Sequence, residues 1–405
     1  MTDPPPPVSG SPPPPMTGSP PPPMTGSPQP PMTGSPQPPV TSSPPPPPVL
    51  AWPDLRDWLA ADSGLLPDGT LAVPALFVDL DAPGTPAQAA ALPPVSVPPP
   101  LSNSWSTMVG HRVLIGVTEH GVRPALASLT GALTCTLVAD RRDTVPTDQI
   151  AVPDLGPACR AIAATAAAAP KAAATLAGLL QLTSDLPAGP GLVAESLAYS
   201  MLLAGPEFAR WRSLRPPRPP APVPAEPVLL DRSGSELRVT LNDPARHNCF
   251  SRHIRDGLAG ALDVALADSS ITAIRLTGRG PSFCSGGDLG EFGTAPDVAA
   301  AHLIRLDRSV AARAERCRDR LRPLLHGACI GAGIEIPSFA AWVEARDDTF
   351  FQLPELTMGL IPGAGGTVSL PRRIGRWRTA YLALSGQRLD LPTALTWGLV
   401  DDRAP

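Results

Sequence analysis

Two glutamates stand where glutamate is expensive. Glu335 closes the run "GACIGAGIEI" (327–336) among Ile334, Ile336, Phe339 and Ala340, and Glu355 lies in "FFQLPELTMGLIPGAGGT" beside Leu353, Leu356 and Met358. An isolated carboxylate is costly to bury, so a solvated charge or a capping residue fits these apolar surroundings poorly. Two carboxyl groups in a largely dry site can divide acid and base work, because burial and mutual repulsion drive their proton affinities apart.

Two loops of small residues accompany the acids. In "SFCSGGDLGEF" (282–292) Gly286 and Gly287 read as the passage from a strand to a helix, and Gly331, Ala332 and Gly333 open a second helix that carries Glu335. A helix start leaves backbone N–H groups unpaired, and small side chains let a ligand approach them closely. Two such N–H groups converging from separate loops form an oxyanion hole for a polarised carbonyl. Either loop alone is an ordinary turn, and neither matches the dinucleotide fingerprint or the P-loop. Their combination with the two acids carries the signal.

The elements that must position these groups follow from periodicity. "ELRVTL" (236–241) alternates as a strand, and a helix is expected from near Ser251, with Ile254, Leu258, Ala261, Leu262 and Ala265 on one face. "ITAIRLTG" (271–278) reads as a strand, 297–320 as a long helix, "LRPLLHG" as a short buried strand and "TFFQLPE" as a strand ending on an acid. Strand, helix and strand in repetition define an α/β domain over 226–405 with crossover connections.

Composition bounds the rest. The chain has 405 residues, with 32 Lys+Arg against 36 Asp+Glu and 43% hydrophobic residues, which gives no electrostatic case for nucleic acid. Lys171 is its only lysine, so a phosphate would be gripped by arginines, backbone N–H groups or a partner's lysine. Six cysteines without a CxxC pair, and no His cluster at zinc spacing, argue against a disulfide framework or a metal and fit a cytoplasmic protein. No basic leader and no uninterrupted apolar run of spanning length is present, so no membrane is expected as a partner. Residues 1–49 repeat an eight-residue unit, "TGSPPPPM" and its variants, and are expected to form a disordered Pro-rich tail. The Pro-rich stretch "SLRPPRPPAPVPAEP" (213–227) reads as a linker, taken as 213–225, and separates a first block, 50–212, from the second.

The second block resembles the crotonase superfamily of enoyl-CoA hydratases and isomerases. "SFCSGGDLGEF" is similar to its first oxyanion motif and "GACIGAGIE" to its second; "FQLPELTMGLIPGAGGT" and "ALSGQRLDLPTALTWGLVD" are similar to the two signatures that follow. The resemblance implies a ββα spiral fold, backbone N–H groups of Gly287 and Ala332 holding a thioester oxygen, and Glu335 and Glu355, twenty positions apart, as the catalytic pair. It implies contacts to substrate or coenzyme A along "DPARHNCFS", with Arg246, His247 and Asn248 as candidates, and at Ser285, Gly286, Asp288 and Gly331. For Arg246, His247 and Asn248 a loop and helix cap is an equally open reading. No cofactor is expected beyond the coenzyme A of the thioester itself. Having both glutamates favours hydration of a 2-enoyl thioester; double-bond isomerisation and non-catalytic acyl-CoA binding are the alternatives.

The family continues through helices that close the acyl pocket and help build trimers, whereas this sequence ends at "GLVDDRAP". A homo-oligomer of that kind is therefore an open expectation. The first block, with strand-like 73–81 and 112–118, apolar 126–140 and Ala-rich 158–180, is expected to pack on the second and supply the missing contacts. Its "GLVAESLAYSMLLAGPEFARW" (191–211) faintly echoes 378–390, so it reads either as a degenerate crotonase-like half or as an unrelated α/β accessory domain, without catalysis of its own.

Overall fold

The computed structural model describes residues 49–61, 64–85, 88, 112–140, 145–215 and 222–404. The repeats of 1–48 and residues 216–221 of the linker lie outside them.

The first block opens with β1 (Val49–Ala51), α1 (Leu55–Ala61), β2 (Ala75–Asp79), β3 (Val113–Thr118), α2 (Ala127–Ala132), β4 (Cys135–Ala139) and β5 (Gln149–Val152). Its five strands are parallel and lie in sequence order, with Phe77 opposite Ile115 and Ile115 opposite Cys135. Both faces are covered, which is why Leu76, Phe77, Val78, Leu114 and Ile115 form near-continuous buried runs rather than alternating ones. Four helices follow: α3 (Leu155–Ala168), α4 (Pro170–Ser184), α5 (Ala188–Leu203) and α6 (Pro206–Ser213). The Ala-rich stretch 158–180 is helical but falls in two helices, bent by 109° at Pro170, whose missing N–H suits a helix start and not a helix interior. No single helix among the described residues is long and apolar enough to cross a membrane.

The second block runs β6 (Val228–Ser233), β7 (Glu236–Leu241), α7 (Arg252–Ala267), β8 (Ala273–Gly278), α8 (Val298–Asp307), α9 (Val310–Arg316), β9 (Leu321–Leu325), β10 (Ala328–Ile330) and α10 (Ala332–Glu335). It continues through β11 (Glu344–Ala345), β12 (Phe350–Gln352), α11 (Gly366–Ser385), β13 (Leu389–Asp390), α12 (Leu391–Trp397) and β14 (Asp402–Arg403). The large sheet has the order β14-β11-β9-β8-β7-β6 and a small one the order β10-β12-β13. Each passage of the chain therefore lays one strand in the large sheet, one in the small sheet, and then a helix: β9-β10-α10, then β11-β12-α11. This is the ββα spiral that the resemblance implies. The first block shares the sequential parallel order, while its described strands all lie in one sheet.

Ser251 caps α7 by accepting from the Ile254 N–H, and the apolar face read from the sequence is buried throughout. The helix expected over 297–320 is instead α8 and α9, because the Ser309 side chain accepts from the Ala312 N–H and starts a new helix there. The helix expected at Glu335 is a single turn; Pro337 opens a 3₁₀ turn, Pro337–Phe339, so its missing N–H breaks no ladder.

The linker joins two sheets and does not separate two cores. One hydrophobic cluster runs from Phe77, Ile115 and Leu137 through Leu176, Leu192 and Phe208 to Val239, Phe351 and Leu384. A smaller cluster around Trp52, Leu80 and Leu126 fills the other face of the first sheet. α11 rests on α3, α4 and α5. The Ala-rich helices make this possible, since small side chains let helices bury two faces at once.

Candidate active site

The two small-residue loops are stitched together before any side chain enters. Cys284 and Cys329 form a parallel bridge, in which Cys284 donates its N–H to Ala328 O (3.2 Å) and accepts from the Ile330 N–H (3.0 Å). Gly333 must be glycine here: a Cβ would lie 2.3 Å from Cys284 O. The ladder stops one step later, and the N–H groups of Gly287 and Ala332 have no partner among the described residues. Ala332 is the first residue of α10, where an N–H has no intrahelical acceptor. Gly287 arrives differently from expectation, since no helix starts after it. Phe250 donates to Gly286 O and accepts from the Asp288 N–H, which leaves the intervening Gly287 N–H outside the pairing.

Both N–H-bearing residues and both acids line one cavity of about 430 Å³, a size that suits a small-molecule site. Gly331 stands between the acids. Its φ of +51° and ψ of −120° are tolerated by glycine, and a Cβ would lie 2.5 Å from Glu355 Oε1 and 3.7 Å from Glu335 Oε1. Its own N–H is spent on Gln352 O (3.0 Å), which holds α10 against the end of β12. The sequence expectation of Gly331 as a substrate contact becomes a spacer that lets two carboxyl groups face one space.

The two acids differ in their partners. Glu335 is 2% exposed and its Oε2 accepts from the N–H groups of Ala364 (2.7 Å) and Gly366 (2.9 Å) at the start of α11. Glu355 is 8% exposed and opens the 3₁₀ turn Glu355–Met358; its Oε2 is buried without a hydrogen-bond partner. Burial pushes Glu355 up to about 8. Burial, and then the charges of Glu355 and Glu195, push Glu335 well above the usual carboxylate range, against the two N–H groups. Two such close acids do not both ionise readily. Glu335 Oε2 accepts from two N–H groups at a helix start, whereas Glu355 Oε2 is buried without a partner, so the proton retained by the pair belongs on Glu355.

A third carboxyl group comes from the first block. Glu195 of α5 lines the same cavity, is 2% exposed, and accepts from the N–H groups of Gly365 (2.8 Å) and Thr367 (2.9 Å) and from Thr367 Oγ1 (2.8 Å). Burial pushes it up to about 7. Leu192, Tyr199 and Leu203 of the same helix complete that wall of the cavity, so the first block supplies both closure and an acid. The only sequence signal for it was Glu195 in the otherwise apolar "GLVAESLAYSM".

The remaining expected contacts separate. Asp288 lines the cavity. Asn248 does not bear on it: fully buried, it donates to Arg279 O (2.8 Å) and Ser282 O (2.9 Å) and accepts from the Asp243 N–H (2.8 Å), so its whole side chain is spent tying loops together. Arg246 is held by Asp288, with Asp243 3.8 Å away, and His247 Nδ1 lies 3.0 Å from Ser282 Oγ. Neither is among the cavity-lining residues, nor are Ser285 and Gly286; these four brace the first loop. Of the two readings open for this segment, the loop-building one matches its contacts. Among the described residues no group of three or more metal-ligating side chains occurs, and all six cysteines are free.

Comparison with known proteins gives the class. The family description enoyl-CoA hydratase/isomerase matches residues 231–405. The chain is 33% identical over 178 residues to the 2,3-dehydroadipyl-CoA hydratase of Escherichia coli (strain K12), covering 44% of this chain and 69% of that one. It is 33% identical over 168 residues to the 1,2-epoxyphenylacetyl-CoA isomerase of the same organism, covering 40% and 64%. Among solved structures, an enoyl-CoA hydratase from Thermoplasma volcanium GSS1 aligns at 31% identity and a TM-score of 0.41, over 44% of this chain and 72% of that one. The chain belongs to the enoyl-CoA hydratase/isomerase family, within the crotonase superfamily, and those relatives are enzymes.

Proposed function

We propose that the chain adds water across the 2,3-double bond of a 2-enoyl-CoA thioester, with no cofactor beyond the coenzyme A of the substrate. The observation that carries this reading is the pair Glu335 and Glu355 on either side of Gly331, in one cavity with the free N–H groups of Gly287 and Ala332.

The thioester oxygen accepts from the N–H groups of Gly287 and Ala332. Glu335, anionic on its two N–H donors, takes a proton from water as the water oxygen bonds to C3. The π electrons pass through C2 to the carbonyl oxygen, where the two N–H groups stabilise the enolate; removing one such donor from an acyl-transfer site costs about 10²–10³ in rate. Glu355 then delivers its proton to C2. The products are the 3-hydroxyacyl thioester and a pair whose proton now rests on Glu335, and transfer back to Glu355 resets the site. Glu195 acts as a positioning residue, fixing the turn that presents the Ala364 and Gly366 N–H groups to Glu335.

Double-bond isomerisation is the second reading, supported by the match, at 32% identity over 177 residues, to a relative named trans-2-decenoyl-[acyl-carrier-protein] isomerase. A single base that moves a proton between C2 and C4 would suffice for it. Supplying 2-enoyl and 3-enoyl thioesters side by side tests the choice: loss of enoyl absorbance from the 2-enoyl compound supports hydration. Its appearance from the 3-enoyl compound, without hydration of the 2-enoyl one, supports isomerisation.

A further inference from the structure

The cavity wall also carries a guanidinium that pairs with no carboxylate by contact, although it shares the cavity with Glu195 and feels its charge. Arg305 of α8 lines the cavity and leans on α5, its guanidinium carbon 4.5 Å from the Tyr199 ring centre. Nη1 carries all its bonds, to Ser196 O (3.2 Å), Ser196 Oγ (2.8 Å) and Ser200 Oγ (3.1 Å). His302 Nδ1 sits 2.9 Å from Ser196 Oγ and fixes that hydroxyl from the other side. A guanidinium has five N–H groups, so anchoring Nη1 leaves Nε and Nη2 to donate elsewhere. Neither is a buried unsatisfied atom and neither has a protein partner among the described residues, so both are solvent-accessible on a residue that lines the cavity.

The charge is as informative as the donors. The other cavity arginines have carboxylates of their own: Arg252 lies 3.6 Å from Glu291, Arg255 2.8 Å from Asp256 and Arg308 3.0 Å from Asp307. Arg305 has no such contact ion pair among the described residues; it feels the charge of Glu195 through space. Glu195, next to Ser196 on α5, spends both oxygens on Gly365 and Thr367 and makes no hydrogen bond to it. A partly buried guanidinium held by serines and an aromatic face on the wall of a substrate cavity, with Nε and Nη2 left to donate, is suited to receive an oxygen anion.

We propose that Arg305 selects the acyl group: the substrate class is a coenzyme A monothioester of a dicarboxylic acid, whose distal carboxylate pairs with the Nε and Nη2 edge of Arg305. The inference rests on the acyl-thioester reading of the cavity, and deepens it by naming what lies at the far end of the acyl chain.

Calorimetry with unreactive saturated thioesters isolates the claim from turnover. Succinyl-, glutaryl- and adipoyl-CoA are each titrated into the full chain against butyryl-, pentanoyl- and hexanoyl-CoA, with folding checked by circular dichroism. A charge-assisted hydrogen bond predicts that one dicarboxylic compound binds at least about tenfold tighter than its methyl-ended partner. In Arg305→Leu that ratio falls close to one, and in Arg305→Lys, which keeps the charge and loses the fork, it is intermediate. No preference at any length in the wild type, or a preference retained in Arg305→Leu, overturns the proposal. Turnover of 2-hexenoyl-CoA and of the 2,3-unsaturated form of the tightest-binding dicarboxylic thioester is followed separately; failure of both counts against the hydratase reading and leaves the binding ratio to judge Arg305.

Discussion

Glu195 and Glu335 take alternate N–H groups of a single turn: Ala364 and Gly366 donate to Glu335, and Gly365 and Thr367 donate to Glu195. One acid comes from the first block and the other from the second. The turn opens α11, so the unpaired N–H groups of a helix start favour negative charge on both. The arrangement makes the geometry of the base depend on a helix that precedes the linker.

Glu195→Gln therefore changes more than stability. An amide keeps one acceptor for this turn and removes a charge that pushes Glu335 upward. The acid limb of the kcat/KM profile should move to lower pH, with kcat reduced and KM little changed. A uniform loss of folded protein with an unmoved profile would show a merely structural residue.

Gly331→Ala tests the spacer. The added carbon meets Glu355 Oε1 at 2.5 Å on a backbone with φ of +51°. A non-glycine residue held in a sparsely populated backbone region costs about 1–3 kcal/mol. Activity should drop by at least about a hundredfold, in line with a displaced catalytic group; thermal unfolding should show a smaller but measurable loss of stability.

The pH dependence follows from the directions of the shifts. Catalysis needs Glu355 protonated, and burial raises it to about 8, so the rate should fall as pH rises above that value. Stability has the sign of raised acids. Below the ordinary glutamate range the folded and unfolded chains are both protonated; above it the unfolded chain ionises while the buried acid does not. The stabilisation is lost as pH climbs from about 4.5 to about 8 for Glu355 and to about 7 for Glu195. Denaturant unfolding between these limits should show stability declining with pH, and Glu355→Gln should flatten the slope.

Much of the second block was legible because its signals are local. Ser251 followed by apolar residues at helical spacing gave α7, and alternation gave β7. The two acids stood out because apolar neighbours make a carboxylate costly. What lay beyond reach was tertiary. Asn248 resembled a substrate contact and is fully occupied between Arg279 and Ser282, bonds made across more than thirty positions. Arg305 on α8 and Glu195 on α5 meet the cavity only because two blocks share one core, a relation that no spacing encodes. The single helix expected over 297–320 divides at Ser309, whose side chain accepts from the Ala312 N–H and starts a second helix.

The central claim is that Glu335 and Glu355 divide base and acid work across Gly331. Steady-state hydration of a 2-enoyl-CoA that the wild-type chain turns over, measured for Glu335→Gln and Glu355→Gln beside circular dichroism of each, tests it most directly. Both variants should stay folded and lose kcat by at least about a hundredfold, the scale of general acid–base catalysis. Turnover within a few fold of wild type in either folded variant would contradict the assignment.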